Sequence, residues 1–158
     1  MKVFPSKDYK FELYIDAEKP IEQLKRETDS SINLVSYHTN KAFIGQVEFP
    51  HFKIISSAIG RGAFCVMKWS LKDNTGKLKV SINMAFQVLF SIMACAPALV
   101  FLIILFIDTV SAIEVLIPAL MFPIFIRVVF IQLAFNFLSK DSLVRLRLAL
   151  KIKEMKAI

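Results

Sequence analysis

The stretch Met84–Ile107 reads MAFQVLFSIMACAPALVFLIILFI, an almost unbroken apolar run without a single charge. As an α-helix it would be about 36 Å long, which exceeds the ~30 Å hydrocarbon core of a bilayer. A second apolar run, over about 115–138, is interrupted once, by Arg127. The sequence therefore predicts two transmembrane helices, about 84–107 and 113–138, that form a helical hairpin.

The charges on either side of these runs predict their orientation. Residues 1–83 carry 13 Lys/Arg and 9 Asp/Glu, residues 139–158 carry 6 and 2, and the connector 108–114 carries two acids and no base. By the positive-inside rule we expect a two-pass protein with both termini in the cytoplasm. No apolar stretch follows Lys2, so we expect no cleavable signal peptide.

The cytoplasmic region 1–83 has the patterns of a small α+β domain. Apolar and polar residues alternate over 9–15, and Pro20 opens a predicted short helix that ends near Thr28. Four further strands are predicted at about 42–49, 52–57, 63–72 and 77–84. We therefore expect a small antiparallel sheet backed by one helix.

The last two predicted strands have the clearest register. One side of this pair is apolar throughout, and consists of Cys65, Met67, Trp69, Leu71, Leu78, Val80, Ile82 and Met84. The residues 73–76 between them, Asp-Asn-Thr-Gly, are typical of a turn. The last strand continues into the first apolar run without a linker, so we expect the sheet to be held at the bilayer surface.

The opposite side of the predicted sheet is rich in lysine: Lys10, Lys53, Lys68, Lys72, Lys77 and Lys79. Two interpretations remain open, a solvated sheet face and a surface for anionic headgroups, where each basic residue contributes ~1 kcal/mol. Nucleic-acid binding is not expected, because no aromatic side chains interleave with the lysines.

The tail 139–158 is basic and amphipathic. Its apolar residues alternate as in a strand, but its composition favours a helix with Leu143, Leu146 and Leu150 on one face. We predict a short C-terminal helix that lies on the membrane surface or against the sheet. The candidates for headgroup contact in the whole chain are Lys68, Lys72, Lys77, Lys79, Arg145, Arg147, Lys151 and Lys153.

Arg127 is predicted near the middle of the second span, where insertion costs roughly 2.5–3.5 kcal/mol. Pro97 frees the carbonyl of Met93, and a hairpin that turns near 109–112 would bring Arg127 level with residues 93–95. We therefore predict that Arg127 donates to the Met93 carbonyl, to the Ser91 hydroxyl, or to both, with the Cys95 thiol close by. In the alternative, the membrane boundary lies at Arg127, and residues 128–138 lie flat in the interface.

Neither a catalytic set nor a metal site is indicated. His38 and His51 lack Cys or carboxylate partners at ligand spacing, and Cys65 and Cys95 fall in different phases, so we expect neither a metal, a cofactor nor a disulfide. The preferred hypothesis is a non-enzymatic, membrane-anchored module that binds a protein partner or anionic lipid headgroups. The alternative is an oligomeric channel, transporter accessory subunit or membrane-disrupting effector that uses Arg127, and a lipid-directed enzyme ranks third.

One family combines several of these features. The segment Phe43-Ile-Gly-Gln-Val, the segment Phe52-Lys-Ile, the strands around Gly76, the two spans and the Leu/Arg-rich tail resemble a family of uncharacterised small bacterial membrane proteins. The resemblance implies an N-terminal cytoplasmic α+β domain, two membrane helices and a location in the bacterial inner membrane. No activity is established for that family, so it implies no catalytic residues.

Overall fold

The computed structural model describes residues 4–13, 18–58, 62–72, 75–107, 109–150 and 152–157. Tyr14 and Ile15 of the first predicted strand, the turn residues Asp73 and Asn74, and the candidate Lys151 lie outside the described residues. The chain divides into two compact units, one formed by Met1–Asn83 with Asn136–Ile158 and the other by Met84–Phe135.

The first unit contains a seven-stranded sheet, and every neighbouring pair is antiparallel except the first, β2 with β3. The strands occur in the spatial order β2-β3-β4-β5-β6-β1-β7. In chain order they are β1 (Ser6–Leu13), β2 (Thr28–Ser30), β3 (Phe43–Glu48), β4 (His51–Ser56), β5 (Cys65–Lys72), β6 (Thr75–Ile82) and β7 (Ile152–Ala157). The predicted α+β class is therefore confirmed.

The alternation in β6 and over 67–71 of β5 separates a buried face from an exposed one, as the sequence predicts, whereas Val66 is buried on the same side of β5 as Lys68. The core face is formed by side chains that are almost fully buried, including Phe11, Phe52, Cys65, Met67, Trp69, Leu78, Val80 and Ile82. Trp69 is flanked by the rings of Phe52 and Phe11, at centroid distances of 5.1 and 5.9 Å. Met84, predicted to end the last strand, instead begins the next helix and is exposed.

Two helices belong to this unit. Helix α1 (Glu18–Glu27) contacts β2 and β3, and its Leu24 is fully buried. The Thr28 hydroxyl donates to the Leu24 carbonyl at 2.7 Å at the end of the helix. Pro20 stands in the first turn, where its missing N–H costs no helical hydrogen bond. The predicted helix from Pro20 to about Thr28 is therefore confirmed.

Helix α4 (Ala134–Leu150) buries one side between residues 136 and 150, within the first unit. Its buried residues there are Ser139, Ser142, Leu146, Ala149 and Leu150. They are three or four residues apart as far as Ala149, and Leu150 is four residues from Leu146. The opposite face of the sheet is exposed at Lys53, Lys68 and Lys79.

The prediction of one short helix over the tail is wrong from Ile152 onward. Helix α4 continues from the preceding helical segment to Leu150, and β7 then pairs with β1. Without β7, strand β1 would be an edge with unpaired backbone groups, which a further strand satisfies. Ile152 is buried opposite Leu13, so this pairing also extends the core.

The second unit contains helix α2 (Met84–Ile107), helix α3 (Thr109–Phe125) and a π-helical segment, Ile126–Leu133. Helices α2 and α3 pack side by side and line a cavity of about 390 Å³. Its walls come from Met93, Ala96, Pro97, Val100, Val115, Pro118, Ala119 and Phe122. Among the polar side chains of α2, the Ser91 hydroxyl donates to the Gln87 carbonyl within the same helix.

The π-helical segment begins three residues after Pro123. Pro123 has no N–H to donate to the carbonyl of Ala119, so the α-helical hydrogen-bond pattern is already broken there. In a π-helix the bonds join residues five apart. Ile126 and Ile131 have this spacing and are both buried, so the segment directs them to the same side.

Two helices in the described parts of the chain are long and apolar enough to cross a membrane, Met84–Ile107 and Ile113–Leu150. The most apolar window of the first has 0% of its residues buried inside the protein, and that of the second has 11%. A core helix of a soluble protein would bury its apolar side. These two helices fit a membrane protein by length, composition and exposure.

Gly45 in β3 provides a test of the sheet packing. Its φ of +148° is one that L side chains rarely adopt, and an added Cβ would collide with the Lys53 carbonyl oxygen and lie 2.8 Å from the Ile54 Cα. We expect Gly45→Ala to lower the free energy of unfolding by about 2–4 kcal/mol through strain and overpacking. Urea denaturation of the detergent-solubilised protein measures this change.

The matched control is Gln46→Ala at the next position, where the side chain is exposed. It should change stability by less than about 0.5 kcal/mol. Equal stability of the two variants would contradict the packing described for β3 and β4.

Candidate functional site

The exposed side of the sheet carries a row of lysines in direct register. Lys53 in β4 lies opposite Lys68 in β5, and Lys68 lies opposite Lys79 in β6. Neighbouring strands are about 4.8 Å apart, so three ammonium groups extend from adjacent backbone positions. The row ends at Gln46 in β3 and at Asp8 in β1.

A second row continues the positive charge across the sheet. Lys77 in β6 lies opposite Lys10 in β1, and Lys10 lies opposite Lys156 in β7. Lys77 and Lys79 are two residues apart on the same strand, so they share a face. We call the resulting surface the lysine face, and it consists of Lys10, Lys53, Lys68, Lys77, Lys79 and Lys156, all exposed.

The lysine face opposes the stability of the sheet. Like charges directly opposite each other on neighbouring strands are destabilising by a few tenths of a kcal/mol up to about 1 kcal/mol. Among the described residues, the only ion pair of the lysine face joins Lys156 to Glu154, at 3.2 Å between exposed side chains. Within the described ranges Lys53 and Lys68 have no ion-pair partner, and an anionic ligand would relieve the repulsion between them.

Two shallow depressions lie along the lysine face. The larger has a volume of about 840 Å³ and the smaller about 410 Å³. Each combines lysines with carboxylates and uncharged polar groups. The larger includes Lys10, Glu12, Ser70, Thr75, Lys77, Glu154 and Lys156, and the smaller includes Gln46, Glu48, His51, Lys53 and Lys68. The pattern is therefore a positive centre bordered by acidic residues.

The structure brings together only part of the predicted headgroup set. Lys68, Lys77 and Lys79 share the lysine face, whereas Arg145 and Arg147 lie on α4. Arg145 pairs with Asp141 at 3.5 Å. The backbone of Lys72 pairs with that of Thr75 in the sheet, while the side chains of Lys72 and Lys153, like the whole of Lys151, are outside the described residues.

Sequence reasoning missed Lys156, because the tail was predicted to be a helix. As part of β7 it lies opposite Lys10 and enlarges the lysine face by one strand. The available sequence indication was the alternation of apolar and polar residues in the tail. That alternation was correct only after Leu150, where the helix ends.

The structure does not show the predicted contacts of Arg127. Within the described residues its guanidinium has no hydrogen-bond or ion-pair partner, and it is exposed. Helix α2 ends at Ile107 and α3 begins at Thr109, so the chain changes helix about one turn earlier than predicted. Met93 therefore lines the cavity with Phe122, five residues before Arg127.

The other candidate chemistry gives no reactive centre. Burial raises the pKa of the Cys65 thiol to about 12, so this group stays protonated and is a poor nucleophile at neutral pH. Cys95 is exposed on α2. Within the described ranges no three His, Cys, Asp or Glu side chains cluster as they would around a metal ion.

Comparison with known proteins gives no guide to function. No family model, no curated protein and no solved structure matches this chain. The assignment of function therefore depends on the chemistry of the lysine face and of the two apolar helices.

The repulsion within the lysine face can be measured directly. Lys68 stands opposite both Lys53 and Lys79, so Lys68→Gln should stabilise the protein by roughly 0.5–1 kcal/mol at low ionic strength. In ~1 M salt, where the Debye length is about 3 Å, most of this gain should disappear. Thermal unfolding in a non-ionic detergent at both salt concentrations measures the difference.

Lys140→Gln on α4 is the control, because Lys140 is also exposed but lies outside the lysine face and away from the ends of its helix. It should leave stability nearly unchanged at either salt concentration. A Lys68→Gln variant that is no more stable than the parent at low salt would contradict the charge repulsion.

Proposed function

We propose that this protein is a non-enzymatic, membrane-anchored module that binds an acidic surface of a protein partner through its lysine face. The observation that carries this proposal is the unneutralised row of Lys53, Lys68 and Lys79 at the centre of an exposed sheet. The six lysines form a broad surface without a deep pocket or a reactive group. Such a surface suits electrostatic docking better than catalysis.

The anchor in this proposal is an antiparallel hairpin of the two apolar helices. Helix α2 has 24 residues and would span about 36 Å, sufficient for the hydrocarbon core. In the first unit, β1 near the N-terminus pairs with β7 near the C-terminus. Because paired strands must occupy one compartment, the chain between them must cross the membrane an even number of times, which supports two crossings.

The charge distribution supports the cytoplasm as that compartment. The bacterial inner membrane, as the particular membrane, rests on the family resemblance. The membrane part thus holds the sheet unit near the lipid, and the lysine face selects the partner.

In this topology Arg127 no longer needs a buried partner. In an antiparallel hairpin that turns between Ile107 and Thr109, two residues at equal distances along the chain from that point lie at the same depth in the membrane. Arg127 would therefore lie at about the depth of Leu89. That position is five residues, or about 7.5 Å, from the start of α2 at Met84. The long arginine side chain can reach headgroups from this depth. The alternative of a channel lined by Arg127 therefore loses its main support.

The acidic border of the lysine face favours a protein over lipid headgroups as the ligand. Glu48 and Glu154 line the two depressions beside the lysines. A uniformly anionic membrane surface would repel these carboxylates. A protein surface can place acidic groups opposite the lysines and basic or polar groups opposite the border, which gives specificity.

Charge reversal tests the lysine face. In neutral phosphatidylcholine nanodiscs, the triple variant Lys53→Glu, Lys68→Glu, Lys79→Glu should bind labelled poly-glutamate at least about tenfold more weakly than the parent, a loss of ~1.4 kcal/mol. The control reverses Lys19, Lys25 and Arg26 on α1, which changes net charge equally and should retain most of the binding. Fluorescence anisotropy at low salt measures both affinities.

Equal losses in the two triple variants would show that only net charge matters and would contradict a specific site. The lipid alternative needs a separate measurement, in which a fluorophore at Lys68→Cys is exposed to headgroup-level spin labels in phosphatidylglycerol membranes. Strong quenching there would assign the lysine face to lipid.

A further inference from the structure

Residues 31–42 connect β2 to β3 without a helix or strand, yet they are held in place. The Ser31 amide donates to the Gly45 carbonyl at 3.1 Å, and the Lys41 ammonium donates to the Thr28 carbonyl at 3.1 Å. We call this segment the Ile32 loop. It has fixed contacts at both ends, so its exposed side chains have defined positions.

The side chains of the Ile32 loop divide between core and solvent. Leu34 packs on the buried cluster of Ile44, Ile55 and Val66. Ile32 and Val35 in the same loop are exposed instead, over 82% and 61% of their surfaces. Single exposed aliphatic residues are common on protein surfaces. Whether these two indicate a contact surface therefore depends on where they lie in the fold.

That position is the entrance to α2. The Asn83 side-chain amide donates to the carbonyls of Leu34 and Ala63, at 3.0 Å each, and the Asn83 backbone N–H donates to the Phe64 carbonyl at 2.9 Å. Asn83 immediately precedes Met84, the first residue of α2. The Ile32 loop is therefore tied to the residue from which the apolar helix departs.

We propose that the Ile32 loop is a second membrane contact, which inserts Ile32 and Val35 into the lipid interface beside the start of α2. This inference rests on the proposed function, in which α2 enters the membrane at Met84. Lipid is the partner of these apolar side chains in the proposal, because the hydrogen bond from Asn83 to the Leu34 carbonyl ties their loop to the residue that precedes α2.

The contact adds to the attachments of the sheet unit. In the proposed topology that unit joins the membrane helices at two places, after Asn83 and before Asn136. Insertion of the Ile32 loop would give it a third attachment to the membrane. Interfacial apolar side chains of this kind bind by burial of their surface between the headgroups and acyl chains.

Fluorescence quenching tests the proposal in the full-length protein. The parent carries Cys95→Ser and keeps Cys65, which is fully buried. Single cysteines replace Ile32, Val35, Lys53 or Leu89 in turn, and each is labelled with the dye NBD. The variants are reconstituted into phosphatidylcholine vesicles with spin labels at a shallow acyl position. The unsubstituted parent reports any background labelling.

We expect blue-shifted emission and loss of most of the fluorescence at positions 32 and 35, and little quenching at position 53 on the lysine face. Position 89 in α2 tests the proposed function independently and should be quenched. Quenching at 89 without quenching at 32 and 35 would overturn this inference and leave the membrane hairpin intact. Equal quenching at 32, 35 and 53 would also overturn it, because the loop would then have no preferred contact with lipid.

Discussion

The two-residue period of β6 is the constraint on which the rest of the structure depends. Its Leu78, Val80 and Ile82 are buried in the core, and its Lys77 and Lys79 face outward. Strand β6 pairs with β5 on one side and β1 on the other. A shift by one residue would bury the lysines and expose the aliphatic side chains, so the same register that forms the core also creates the lysine face.

Strand β6 also joins the two chemical halves of the chain. It ends at Ile82, Asn83 follows, and α2 begins at Met84. The Asn83 side-chain amide donates to the carbonyls of Leu34 and Ala63, and its backbone N–H donates to the Phe64 carbonyl. These hydrogen bonds hold the last residue before α2 to two neighbouring segments of the sheet unit.

The pairing of β1 with β7 brings the two ends of the chain together in one sheet. The two strands are far apart in sequence, and the apolar helices lie between them. Loop closure over such a distance costs entropy, although the cost grows slowly with length. In the proposed topology a membrane hairpin would reduce that cost, because it would return the chain to the side from which it left.

The sequence predicted the parts of the structure with strong local patterns. Five strands, α1 and the facing of Lys68, Lys77 and Lys79 follow from alternation and from Pro20. Strand β7 was missed because strong helix formers precede it and its partner β1 is remote. The contacts predicted for Arg127 depend on the residue at which one helix gives way to the next, and apolar runs do not specify that residue. The Ile32 loop was missed because its tie to Asn83 joins positions that no periodicity connects.

The location of the two chain ends tests the central claim most directly. Green fluorescent protein and alkaline phosphatase, fused in turn to each end and expressed in bacteria, report the cytoplasm and the outside respectively. The account predicts membrane-bound fusions that fluoresce at both ends and show phosphatase activity at neither. Phosphatase activity at one end only, or a protein that remains in the supernatant after ultracentrifugation, would contradict the two-crossing anchor and the pairing of β1 with β7 across it.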